Sequence, residues 1–270
     1  MISFPNAKIN IGLVNHGLRD DGYHEIRSTI YPIPICDSLE IVLGGAGKEK
    51  CNLTISGIEI DEADNLCMKA YELLDIKYNL EPVQMHLHKA IPVGAGLGGG
   101  SSDAGTAILM LNEIFELKLS TDEMKNHAAK LGSDCPFFIA NEPTIVTGRG
   151  DELKRTDLNL AGYFLIVIYP EIHISTSEAY QHIQKSNSPE NVDPLNGNIN
   201  NWRESIFNDF EEFVFSSFPE IGEIKSKLYE GGAVYASLSG SGSGVYGIFT
   251  QPTDFKSVLA NHIVWSLKLW

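Results

Sequence analysis

Residues Pro92 to Asp103 read Pro-Val-Gly-Ala-Gly-Leu-Gly-Gly-Gly-Ser-Ser-Asp, with five glycines ahead of an apolar run, Ala104 to Leu117, that has a helical pattern. Glycine tolerates φ > 0 and has no Cβ to hold a ligand off the backbone. Set before a helix N-terminus, such a run exposes amide donors at the positive end of the helix dipole, where an anion, most often a phosphate, is favoured. The chemistry this predicts is phosphate binding. Ser101, Ser102 and Asp103 fit the capping and first-turn positions of the helix. A glycine-serine hinge is the competing reading. The flanking segments favour the cradle: Val83, Met85 and Leu87 alternate with polar residues as in a strand, and an apolar helix follows.

Several phosphate-loop schemes are excluded. Gly94, Gly96 and Gly99 satisfy G-x-G-x-x-G, but a dinucleotide fold needs a strand after the helix that ends in an acidic residue. Here Ser120-Thr121-Asp122-Glu123 opens a second helix with a capping-box pattern. No G-x-x-x-x-G-K-[ST] sequence is present, and the H-R-D and D-F-G signatures of protein kinases are absent.

Other candidates carry two readings each. Lys8 and Asn10 share the polar face of a first strand, either solvated or part of a site wall. Asp134, in Leu-Gly-Ser-Asp-Cys-Pro-Phe-Phe, is either an N-cap for the next turn or a catalytic base among apolar neighbours. Tyr23 and His24 follow a turn and could stack on and hydrogen-bond to a planar ligand, or simply pack. Thr176 and Tyr180, four apart, share one helix face. His86 and His88 share a strand face without a third metal ligand.

Composition bounds what these residues can serve. At 270 residues the chain holds one large or two modest domains, and a hydrophobic fraction of 43% with 20% charged residues is that of a globular protein. A formal charge of −15 argues against nucleic-acid or anionic-membrane partners. The four cysteines are scattered, and Met1 to Lys8 has no basic and apolar leader pattern, so a reduced, cytoplasmic protein is expected. No apolar stretch is long enough to span a bilayer.

The elements that must position these residues interleave irregularly, which predicts an α+β fold. Strands are expected from Asn6 to Leu13 and at Glu25–Ile33, Leu39–Leu43, Cys51–Ser56 and Val83–His88. Helices are expected at Asn65–Leu74 and after the glycine run, with a return strand at Thr144–Thr147. Beyond a boundary near 150–160 come a buried strand at Tyr163–Tyr169 and a capped helix from Ser175. An Asn-rich loop follows at 185–201, then helical patterns at 205–216 and 219–230. Two strands flank Ser239–Gly244, and a helix at Asp254–Asn261 precedes a terminal strand.

Three motifs in order resemble the GHMP kinase superfamily of small-molecule kinases: Pro5-Asn6-Ala7-Lys8-Ile9-Asn10, Pro92–Asp103 and Leu238–Gly244. Asp21-Gly22-Tyr23-His24-Glu25, Leu131–Phe138 and Gly148-Arg149-Gly150-Asp151 are similar to its branch that acts on a cytidine-diphosphate-linked methylerythritol. The resemblance implies a two-domain fold. Residues 1–155 would be an ATP-binding domain like domain 2 of ribosomal protein S5, and 156–270 a ferredoxin-like α/β sandwich. It implies ATP, used as Mg-ATP, as phosphoryl donor to a tertiary hydroxyl, in a monomer or homodimer. By the same resemblance Asp134 is the general base and Lys8 its partner. Pro92, Val93, Gly94, Ala95, Gly96, Leu97, Gly98, Gly99, Gly100, Ser101 and Ser102 are ATP-binding, the amides of 94–102 holding the phosphates, and Asn65 and Leu66 lie near adenine. Tyr23, His24 and Tyr180 clamp cytosine, while Asn10, Lys89 and Thr176 make further substrate contacts.

Overall fold

A computed structural model describes residues 1–45, 49–60, 65–183, 185–186, 198–255 and 261–269. Most of the helix expected at 254–261 and most of the 185–201 stretch lie outside the described residues. By contacts the chain divides into two compact units. The first holds Met1–Ala7, Ile35–Val93 and Gly98–Glu142, and the second holds Lys8–Pro34, Gly94–Leu97 and Pro143–Trp270.

The first unit is built on a four-stranded sheet, β1 (Ile2–Ser3), β4 (Ser38–Leu43), β6 (Val83–Lys89) and β5 (Cys51–Gly57), in that order. Its pairs are antiparallel except β5 with β6. The alternation of β6 is realised in full, with Val83, Met85 and Leu87 buried and Gln84, His86 and His88 exposed. The buried face packs on α1 (Leu66–Tyr78) and α2 (Gly99–Ile114), where Leu74, Ala104, Ile108 and Leu111 are fully covered. Two shorter helices complete the unit, α3 (Thr121–Ala128), which carries the expected capping box at Ser120, and α4 (Phe137–Ala140).

The second unit contains two sheets. One has the order β2 (Asn6–Leu18), β3 (His24–Cys36), β7 (Thr144–Thr147) and β8 (Glu152–Arg155). The other is antiparallel throughout, in the order β10 (Tyr235–Leu238), β11 (Val245–Phe249), β9 (Phe164–Tyr169) and β12 (Ile263–Lys268). Helices α5 (Thr176–His182), α6 (Trp202–Ser205), α7 (Phe210–Ser217) and α8 (Pro219–Glu230) belong to this unit. The helical pattern at 205–216 breaks at Asn208, whose amide nitrogen donates to the carbonyls of Leu238 and Gly240 at 3.0 and 2.8 Å. The backbone beside it bonds to Leu13 instead of continuing a helix. The irregular α+β arrangement expected from the sequence is the one observed.

Candidate active site

In the second unit, Lys8 and Asn10 are 4% and 5% exposed, so their strand face is not solvated. Residues Ala7 to Leu13 of β2 are buried on both faces, which the alternation of residue types conceals. Lys8 Nζ donates to Asn10 Oδ1, and Asn10 Nδ2 donates to Ser28 Oγ at 2.9 Å. Lys8 N donates to Leu97 O at 2.9 Å, and Tyr246 Oη donates to Asn10 O at 2.8 Å. Each polar group on this buried face is therefore oriented by a partner, as burial requires.

The front of the glycine run, Gly94–Leu97, is laced to the second glycine-rich turn. Ser239 Oγ donates to Gly96 O (2.8 Å), Gly244 N to Ala95 O (3.0 Å) and Ser243 N to Gly94 O (3.3 Å). Gly96 has φ +72°, and a Cβ there would lie 1.9 Å from Ser239 O. Only glycine fits that approach.

Beside these loops, Thr176 opens α5 on the exposed side, 3.4 Å from Ser241 Oγ. Tyr180, one turn on, meets the His24 ring at 5.2 Å with the planes tilted by 42°, and lies edge-on at 4.9 Å against Phe210. His24 Nδ1 lies 3.0 Å from Asn15 Oδ1, an oxygen that also accepts the Gly17 amide. That oxygen is an acceptor, so Nδ1 carries the proton and Nε2 is left as an acceptor. Tyr23 is 56% exposed beneath the guanidinium of Arg149, 4.8 Å away. The structure thus joins His24 to Tyr180, while Tyr23 pairs with Arg149.

In the first unit the helix begins earlier than the apolar pattern indicates. Gly98, with φ +71°, is the N-cap and α2 starts at Gly99. Ser101 therefore sits in the first turn and Asp103 in the second, and neither serine is the cap. Glycines at 99 and 105 permit the start, because a Cβ would meet Ile91 at 2.8 Å and Phe138 at 3.0 Å. Asn65 caps α1 by accepting the Cys67 amide at 2.8 Å. Leu66 follows it and approaches Gly100, so the N-termini of α1 and α2 are neighbours.

Asp134 lies half-buried in the turn between α3 and α4. It is not the side-chain cap the sequence allows: α4 is capped at Pro136 and receives no side-chain bond. The turn packs against α2, since a Cβ at Gly105 would lie 3.3 Å from Cys135 O. Burial pushes the Cys135 thiol up to about 11. Lys89 corrects an expectation. Its side chain is 1% exposed and its ammonium is committed to Asp37 and Asp103, so it does not reach out to a substrate. Asp37 escaped sequence reading; its one signal was a lone acid between two apolar strands.

Among the described residues, no group of three or more His, Cys, Asp or Glu side chains could hold a metal ion. No helix among them is long and apolar enough to cross a membrane.

Comparison with known proteins adds to this geometry. A family model described as GHMP kinases N terminal domain matches residues 65–142, and one described as GHMP kinases C terminal matches 191–262. The chain is 47% identical over 252 residues to 4-diphosphocytidyl-2-C-methyl-D-erythritol kinase of Bacteroides thetaiotaomicron, covering 92% of each. It is 44% identical to the kinase of the same name from Parabacteroides distasonis, covering all of both chains. A crystal structure of 4-(cytidine 5'-diphospho)-2C-methyl-D-erythritol kinase superposes with a TM-score of 0.85 at 27% identity, over 98% of each chain. Mevalonate kinase of Methanococcus jannaschii shares the fold, with a TM-score of 0.73 at 14% identity over 100% of this chain and 98% of its own.

Proposed function

The chain belongs to the GHMP kinase family, and from that premise we propose how its residues carry the activity of the kinases reported above. It transfers the terminal phosphoryl group of ATP to the 2-hydroxyl of 4-diphosphocytidyl-2-C-methyl-D-erythritol, giving the 2-phosphate and ADP. Residues 1–155 form the ATP-binding domain and 156–270 the second family domain. The two family matches, which fall on either side of that boundary, support the division.

Amides of residues 94–102 hold the ATP phosphates, with Gly98–Ser102 at the positive end of α2, and Pro92 and Val93 line the same ATP site. Asn65 and Leu66 take the adenine side. In-line phosphoryl transfer depends on positioning and on charge stabilisation, both of which such a cradle supplies. Magnesium enters with ATP as its complex and needs no cage built from protein alone.

A tertiary hydroxyl is a poor nucleophile at neutral pH, because its alkoxide is costly to form. Asp134 takes its proton as the oxygen–phosphorus bond forms and the bond from phosphorus to the ADP oxygen breaks. Lys8, buried and oriented by Asn10, supplies positive charge for the developing alkoxide. The cytosine is read by Tyr23, His24 and Tyr180. His24 Nε2, an acceptor by the argument above, suits the exocyclic amine of cytosine. Asn10 and Thr176 make further substrate contacts, and Lys89 leaves that group for a structural one. Four free cysteines fit a reducing, cytoplasmic setting.

The ring pair of His24 and Tyr180 carries the substrate assignment, since a substrate without a base needs no clamp. The test is a substrate panel with Mg-ATP, reading ADP release. Turnover is expected with the cytidylylated methylerythritol and not with mevalonate or homoserine. The reverse preference sinks the reading.

A further inference from the structure

Both ends of the glycine run are fastened to one buried group of charges in the first unit. Asp37, between β3 and β4, is 1% exposed. Its Oδ1 accepts the amides of Ala90 at 2.6 Å and Ile91 at 2.8 Å, the residues that lead into Pro92. Its Oδ2 accepts from Lys89 Nζ. Lys89 also donates to Asp103 Oδ2 at 2.7 Å, on the second turn of α2. The same Nζ lies against Gly99, where a Cβ would come within 3.2 Å of it. The triad therefore abuts the first helical turn, to which the phosphates are assigned.

Its charges do not balance. One ammonium faces two carboxylates, and Asp103 Oδ1 is buried with no hydrogen-bond partner. A fully ionised triad would put net negative charge beside a polyphosphate site in a low-dielectric interior, where repulsion is strong. A proton on Asp103 makes the triad neutral and removes the unpaired charge beside the buried oxygen that lacks a donor.

The groups facing Asp103 are Lys89 from β6, Asp37 from the β3–β4 junction and Cys67 from α1. Burial raises the Cys67 thiol well above its ordinary range, so it stays neutral. For Asp103, burial pushes the carboxyl up and Asp37 adds to this, while Lys89 opposes it; the result is about 7. The acid is poised where a nearby anion changes its protonation.

We propose that the Asp37–Lys89–Asp103 triad positions the nucleotide loop, and that Asp103 takes up a proton when a nucleotide polyphosphate binds there. The inference rests on the ATP reading above. The sign follows from linkage. An added anion favours the neutral acid, so nucleotide binds more tightly below about pH 7 and more weakly above it, by at most about tenfold per pH unit.

Calorimetric titration of the full chain with a non-hydrolysable ATP analogue and Mg²⁺, in two buffers of different ionisation enthalpy at pH 7.5, counts the protons taken up. Wild type is expected to take up more than Asp103→Asn, a near-isosteric variant that cannot titrate. Asp103→Asn is also expected to lose the fall in affinity above pH 7, a readout that a merely structural role would not move. Equal proton counts in the two proteins overturn the proposal. If the variant does not fold, infrared difference spectra of wild type decide. A protonated-carboxyl band that grows on binding supports the proposal, and its absence overturns it. Failure of wild type to bind the analogue at all would instead overturn the ATP reading itself.

Discussion

Replacing Gly96 by alanine tests the glycine-run geometry most directly. At φ +72° its added Cβ would sit 1.9 Å from Ser239 O and 2.9 Å from Ser239 C. Carbon contacts are comfortable near 3.5 Å, so the Gly94–Leu97 and Ser239–Gly244 segments must part by roughly 1.5 Å. That separation loosens three hydrogen bonds, from Ser239 Oγ, Ser243 N and Gly244 N to the carbonyls of Gly96, Gly94 and Ala95. Each contributes about 0.5–1.5 kcal/mol net, and alanine in the left-handed region costs about 1–2 kcal/mol more. The expected loss is about 2.5–6.5 kcal/mol, which lowers Tm by about 5–25 °C for a chain of this size. A displacement above 1 Å in a positioning loop should also lower kcat/KM by on the order of 10²-fold. The control is Gly100→Ala, four residues on, where the nearest heavy atom is Leu66 Cδ1 at 4.0 Å and no positive φ is required. Its stability should be unchanged or higher by up to about 1 kcal/mol. Calorimetric melting and coupled ADP release measure both variants. Equal melting temperatures for the two alanine variants would refute the reasoning.

Asp134→Ala should lower turnover by roughly 10²–10⁴, as loss of a general base does, while a nucleotide analogue still binds; unchanged turnover would remove Asp134 from the mechanism. Tyr180→Ala should raise KM for the cytidylylated substrate by about tenfold or more, from base stacking of about 1–3 kcal/mol, with little change in KM for ATP. Tyr180→Phe keeps the ring and should stay within about threefold of wild type; a Phe variant as impaired as the Ala one would point to the hydroxyl instead. Thiol titration of the native protein at pH 8 should find Cys36 alone reactive, because Cys51 and Cys135 are pushed up to about 11 by burial and Cys67 is fully buried. All four should react in denaturant, and a second fast native thiol would contradict the burial.

What the sequence disclosed was whatever depends on local chemistry. The two-residue period of Val83–His88 is a backbone property, so β6 was legible, and Ser120 with Glu123 marked the start of α3 unaided. Asp134 stood out through its Leu-Gly-Ser-Asp-Cys-Pro setting. Burial decided by distant segments was not legible. Lys8 and Asn10 alternate with apolar residues as a solvated face would, yet both are covered. The start of α2 was misplaced because glycine is a poor helix former by propensity. At 99 and 105 close packing against Ile91 and Phe138 overrides that cost. Lys89 reads as an available cation until Asp37 and Asp103, 52 and 14 residues away, are seen to hold it.

The three motifs singled out from the sequence converge in the second unit on a single oxygen. Ser239 Oγ accepts the backbone amide of Asn10 at 3.4 Å and donates its own proton to Gly96 O at 2.8 Å. One hydroxyl thus joins the strand that carries Lys8, the front of the glycine run and the second glycine-rich turn. A hydroxyl has one donor and two acceptor sites, so it can serve both partners at once. An alanine at 239 would leave the Asn10 amide without its side-chain acceptor and release Gly96 O. The motifs are separated by scores of residues in sequence, and the fold brings a strand and two glycine-rich turns together at this hydroxyl. A run of glycines that looks like a linker in sequence is thus backbone held in place at Gly94, Ala95 and Gly96.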